Sequence, residues 1–143
     1  MVQIMLRLKN RIKDLLGEKY VELAGGIEVR IKSKVWWLTI MANPRDISNT
    51  FGKTIYVEQD YKSLAPYLQD GIIKHELVHI KQQQKVGLLK YIILYFFLLP
   101  ILWNKYRWEW EMDAYRVNRS AIFKESDIVK LLRSWTYGWL RNG

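Results

Sequence analysis

The chain contains two histidines, and both lie in one short run, His75-Glu76-Leu77-Val78-His79. On an α-helix, positions i and i+4 share a face, so both imidazoles can reach one metal ion. Glu76 stands next to the first of them, where its carboxylate can reach a water polarised by that metal. Zinc lowers the pKa of such a water to about 7, and a neighbouring carboxylate can take its proton as it attacks a carbonyl. The pattern makes His75 and His79 metal ligands and Glu76 a general base. The reaction expected is zinc-dependent hydrolysis of a peptide bond.

A catalytic zinc takes three protein ligands and keeps one position open. The chain has no cysteine, which excludes thiolate ligands, disulfides and a thiol nucleophile together. No further histidine exists, and position 85 is lysine. The third ligand is therefore expected to be a carboxylate from a later helix. The downstream acidic cluster is Glu109-Trp110-Glu111-Met112-Asp113. At helical spacing Glu111 shares its face with Trp108, Ala114, Tyr115 and Asn118, and the small Ala114 would let two helices approach. Glu109 shares its face with Tyr106, Met112, Asp113 and Arg116. The first face is less charged, which favours Glu111. Glu109 stays open as the alternative, with Asp113 one turn later orienting an imidazole. A plain exposed helix with Glu–Arg and Asp–Arg pairs is the reading without chemistry.

With these residues in place the chain resembles the gluzincin metallopeptidases, in which H-E-x-x-H on one helix is completed by a glutamate on a second. Glu111-Met112-Asp113-Ala114-Tyr115 is similar to the E-x-E-A-[D/Y] form of that second motif, with Asp113 in place of its second glutamate. Glu109 and Asp113 fit the looser E-x-x-x-D form. The run HELVH, followed by Gln82-Gln83-Gln84, an apolar stretch and then this helix, also resembles small bacterial and phage peptidase-like proteins. The resemblance covers roughly residues 51–118. It implies a zincin-like core, a zinc cofactor and a peptide or protein substrate. It further implies that Thr54–Glu58 offers a strand edge to an extended substrate. Tyr115 and Arg116 are candidates for stabilising the oxyanion, and Gln82 and Gln83 are expected at the surface.

The elements that must position these residues follow from periodicity. Residues 1–16 form an amphipathic helix with Met5, Leu8, Ile12, Leu15 and Leu16 on one stripe and Gly17 as its stop. It is expected to pack on its own domain, with a membrane surface as the alternative. Gly25-Gly26 marks a turn before the alternating strand Ile27, Val29, Ile31. Val35–Ile40 and Thr54–Val57 are further strand candidates. The active helix begins near 68–72 and runs to 86. Val86–Trp103 is the most apolar segment. As one helix it would span about 27 Å, the short limit for a bilayer, but it holds Lys90 and Pro100. Core, membrane-dipping and spanning readings all remain. Helices are expected over 105–120 and 126–140, the last with Ile128, Leu131, Leu132, Trp135 and Trp139 on its apolar face.

The 143 residues suit a single minimal domain of α+β class, with a small antiparallel sheet packed on a helical zincin-like core. A formal charge of +9 favours an anionic partner. An anionic membrane surface is a candidate, through the basic N-terminal helix and residues 86–103. Nucleic acid is disfavoured, because no recognisable recognition motif accompanies the charge. No secretory signal is visible, which suits a cytoplasmic or membrane-associated protein. The competing function is a non-catalytic, zinc-stabilised membrane-surface or nucleic-acid-binding protein. Glu76 argues against it, since a purely structural site has no use for a carboxylate beside its ligand.

Overall fold

The computed structural model describes residues 1–38, 48–94, 105–117 and 125–132. Its class is α+β: five helices and a four-stranded sheet among the described residues. The chain divides into two compact units, Met1–Ala65 and Pro66–Gly143.

The first unit begins with helix α1 (Val2–Leu16) and holds strands β1 (Gly17–Leu23), β2 (Ile27–Lys32), β3 (Asn49–Phe51) and β4 (Thr54–Val57). The strand order is β1-β2-β4-β3. Gly25 and Gly26 take positive φ of 79° and 70°, which lets β1 turn tightly into an antiparallel β2. The β3–β4 pair is also antiparallel, but β2 and β4 run parallel. The sheet is therefore mixed rather than purely antiparallel. The parallel pairing follows from the order of the strands: β3 runs opposite to β2, and its antiparallel pairing with the following β4 brings β4 alongside β2 in the same direction. Val29 faces Ile55 and Ile31 faces Val57 across that pair, and Val29, Ile55 and Val57 are fully buried.

The Val35–Ile40 strand expectation is not met over the described part, because residues 34–38 form a 3-10 helix. Its conformation turns Trp36 inward, where the indole donates to the Leu16 carbonyl at 2.7 Å and the ring packs against Tyr56 and Phe51. A buried indole N–H needs an acceptor, and a carbonyl at the C-terminal end of α1, without an intrahelical partner, supplies one. Residues 39 and 40 lie outside the described set.

α1 packs on this unit only at its C-terminal end. Leu16 is part-buried against Trp36. Asp14 pairs with the buried Arg30 at 2.9 Å, and Lys13 pairs with Glu28 at 3.2 Å. Gly17 joins helix to sheet at close quarters: a Cβ there would lie 2.5 Å from the Ile31 carbonyl oxygen. The expectation that the apolar stripe of α1 packs on its own domain holds for Leu16 alone, while Met5, Leu8, Ile12 and Leu15 are exposed.

The second unit holds α2 (Pro66–Val86), α3 (Leu88–Ile92), α4 (Lys105–Val117) and α5 (Glu125–Leu132). Pro66 opens α2 at the first helical position, where its missing N–H costs nothing. Gly87 closes the helix with φ of 94°, and α3 sets off from it. α4 packs against α2, with Ala114 fully buried. Met112, Ile128 and Leu132 form a small core between α4 and α5, flanked by Trp108, Tyr115 and Val129. The expected Trp135 and Trp139 of the last helix lie outside the described residues, as does Asn118.

Among the described residues no helix is long and apolar enough to cross a membrane. Gly87 ends the α2 helix just inside the apolar segment. Residues 95–103 of that segment lie outside the described set.

Candidate metal centre

Glu111 on α4 faces His75 and His79 on α2, one turn apart. The Nε2 atoms of the two histidines are 3.2 Å apart, and Oε2 of Glu111 lies 3.3 Å from the first and 3.5 Å from the second. All three residues are buried, with Glu111 only 2% exposed. Tetrahedral zinc binds nitrogen and oxygen at about 2.0–2.1 Å, which requires ligand–ligand edges of about 3.3–3.4 Å. The observed triangle has the size of one face of such a tetrahedron. Two imidazoles and a carboxylate are also a donor set that suits zinc. The residues present therefore fit the ion.

Glu109, the alternative third ligand, is exposed and takes no part in this cluster. Asp113 is also exposed and pairs with Arg116 at 3.7 Å on the helix surface. The two-residue difference puts the two glutamates on different faces of α4 through helical phase. Glu111 lies between the buried Ala114 and Arg107 positions, and Glu109 turns outward.

Two further residues, Gln82 and Tyr91, hold the cluster, and the first is expected from the sequence at the surface. The side-chain oxygen of Gln82 lies 2.9 Å from Nδ1 of His79, and the Gln82 nitrogen donates to the Trp110 carbonyl at 3.1 Å. A carbonyl can only accept, so the amide nitrogen must point to Trp110 and the amide oxygen to His79. Nδ1 of His79 then carries a hydrogen, and Nε2 is the atom turned towards His75 and Glu111. The hydroxyl of Tyr91 lies 3.0 Å from the same Nδ1, and its ring stacks on Trp110 at 4.4 Å. Gln83 is also buried, at 3% exposure, which corrects its expected place at the surface. The i+3 spacing from His79 to Gln82 was the available signal for the first clamp. Tyr91 had no local signal, because it returns to the site only through the bend at Gly87.

His75 is held differently. Its Nδ1 has no hydrogen-bond partner among the described residues, and its ring meets Tyr115 edge-on at 4.2 Å. Tyr115 thus stands beside the cluster. Arg116, the other oxyanion candidate, is exposed and paired with Asp113.

Burial by itself disfavours the charged form of His79, but the Glu111 carboxylate outweighs it, with smaller help from Glu76, and the ring is pushed up to about 9. Burial likewise opposes the Glu111 carboxylate, yet the two imidazoles hold it well below the usual carboxylate range. Without metal, the cluster is thus a charged pair. A dication placed among the three would take over the role of the positive charge on His79 beside the Glu111 carboxylate.

Glu76 is 4% exposed and close enough to act on the charge of His79. The expected substrate edge at Thr54–Glu58 is not an edge over the strand itself: β4 is flanked by β2 on one side and β3 on the other. Its backbone groups are committed to those neighbours, and the free sides of the sheet belong to β1 and β3.

No family model, no curated protein and no solved structure matches this chain.

Proposed function

We propose that the second unit is a minimal zinc-dependent peptidase with a gluzincin-type ligand set, His75, His79 and Glu111, and Glu76 as general base. The observation that carries this reading is the triangle of Nε2, Nε2 and Oε2 atoms at 3.2, 3.3 and 3.5 Å, with a buried glutamate directly beside the first ligand. When bound, zinc supplies a Lewis acid that polarises a carbonyl oxygen and makes water nucleophilic near neutral pH.

The chain's own residues do the rest. Gln82 and Tyr91 fix the His79 ring with Nε2 towards His75 and Glu111, and the Glu111 carboxylate would balance the charge of a bound cation. Glu76 accepts the proton of the attacking water on its carboxylate and returns it to the amine nitrogen as the carbon–nitrogen bond breaks. Both histidines are used as ligands, so neither is left as a separate acid.

The test is a comparison of three proteins. Wild type is expected to hold one zinc per chain and to cleave an unstructured protein substrate. Glu76→Gln keeps the metal and loses about 10²–10⁴-fold in turnover. Glu111→Ala loses the metal, whereas Glu109→Ala keeps it. A wild type that binds no zinc after reconstitution overturns the assignment. Zinc bound equally well in Glu111→Ala overturns the ligand set, and full turnover in Glu76→Gln overturns the general base.

A further inference from the structure

α1 stands out from its unit with no buried residue, and its large apolar side chains meet solvent: Ile4 is 70% exposed, Leu8 58% and Leu15 62%. At 100° per residue Ile4, Met5, Leu8, Ile12 and Leu15 fall on one stripe. The cations flank it on both sides: Lys9 along one border, Arg7 and Arg11 along the other. Gln3, Asn10 and Asp14 lie opposite. Arg7, Lys9 and Arg11 form no ion pair among the described residues. Only the last turn is tied down, through Lys13, Asp14 and Leu16.

We propose that α1 is an in-plane membrane anchor, its apolar stripe inserted into the interface of an anionic phospholipid bilayer and its bordering cations on the lipid phosphates. A bilayer accepts cations on both borders of one stripe, because long basic side chains lay their methylenes along the apolar zone and lift their charge to the headgroups. A second copy of the chain fits worse. Pairing two such stripes would bring Arg7, Lys9 and Arg11 against their own counterparts, in a chain of formal charge +9. The anchor is independent of the metal centre.

The full chain is sedimented with vesicles of phosphatidylcholine alone and of phosphatidylcholine with phosphatidylserine. Binding is expected to the anionic vesicles, to be weak with the neutral ones, and to fall as salt rises. Ile4→Asp with Leu8→Asp should lose at least tenfold in affinity while keeping the wild-type circular dichroism, since neither side chain is buried. Arg7→Gln with Arg11→Gln should lose about tenfold or more for anionic vesicles only. Absence of wild-type binding to anionic vesicles overturns the proposal, as does wild-type binding by both variants. Self-association abolished by Ile4→Asp with Leu8→Asp, without vesicle binding, overturns it in favour of a second copy. Vesicle-independent capture of an acidic protein through the same residues overturns it in favour of a protein partner.

Discussion

The amide of Gln82 accepts through its oxygen from Nδ1 of His79 and so holds that ring with Nε2 facing His75 and Glu111. It does so from the backbone of the other ligand helix, because its nitrogen is anchored on the Trp110 carbonyl, one residue before Glu111. One side chain thus sets the orientation of a ligand on α2 and the spacing of α2 from α4. Outer partners of this kind usually account for 10–100-fold in metal affinity.

Gln82→Leu should therefore lower zinc affinity by about 10–100-fold, read by competition with a chelator, with helicity unchanged. Gln82→Glu keeps an acceptor for Nδ1–H but loses the donor to Trp110. Its affinity should lie above that of Gln82→Leu. Tyr91→Phe removes only the second partner of Nδ1 and should cost less than Gln82→Leu. Wild-type affinity in Gln82→Leu would remove Gln82 from the site's support.

The raised pKa of His79 sets a proton count for metal binding. At pH 7.5 a ring with a pKa of about 9 is mostly protonated, and zinc needs its Nε2 lone pair. Binding should release close to one proton per ion from His79, so apparent affinity should rise by about tenfold per pH unit up to about pH 9. Calorimetry in buffers of different ionisation enthalpy measures the released proton. Glu111→Gln removes the carboxylate that raises His79 and should lower the pKa of that ring, read by NMR titration of the metal-free protein. No proton release from wild type would contradict the charged pair.

Stability of the metal-free chain should run the other way. His79 gains proton affinity on folding, so its contribution is complete below its ordinary value of 6.5 and is lost as pH rises through about 9. Glu111 is depressed on folding, so its contribution is present above 4.5 and is lost as pH falls through its lowered value. Metal-free protein should be most stable between these limits and should lose stability from pH 6.5 to 9. Zinc at one hundred times its dissociation constant adds about 2.7 kcal/mol to a two-state unfolding free energy. Thermal unfolding with and without chelator should show the gap widening as pH rises from 6.5 to 9, and a constant gap would contradict the proton competition.

Much of the site could be read in the sequence because it depends on local periodicity. The i, i+4 spacing of His75 and His79 and the helical phase of Glu111 and Ala114 carry over directly into the geometry. The strands Ile27–Lys32 and Thr54–Val57 also show in their β-branched alternation and short turns. β1 was harder to see, because six of its seven residues are exposed or part-buried and it has no apolar run. Its existence follows from pairing with β2, a tertiary cause. The 3-10 helix at Trp36 was misread for a similar reason: its β-branched and aromatic composition suits a strand, but the Leu16 carbonyl claims the indole. Parallel pairing of β2 with β4, and the return of Tyr91 to His79, join residues far apart in sequence. No local pattern specifies either.

The requirement for glycine at position 17 is space rather than backbone freedom. Its φ of −178° is extended and open to any residue. A Cβ, however, would sit 2.5 Å from the Ile31 carbonyl oxygen and 3.3 Å from the Tyr56 ring. The first neighbour is backbone, held in the β1–β2 ladder by the Glu18–Ile31 and Gly17–Lys32 register. The strand must move to admit a methyl group. Gly17→Ala should therefore destabilise the chain by about 1–3 kcal/mol in urea unfolding, the usual range for overpacking. Zinc affinity should be unchanged, because every residue of the ligand cluster and its clamp lies in the other unit. A neutral Gly17→Ala would mean that β1 and β2 can separate at this end without cost, and a loss of zinc affinity would mean that strain here reaches α2 and α4.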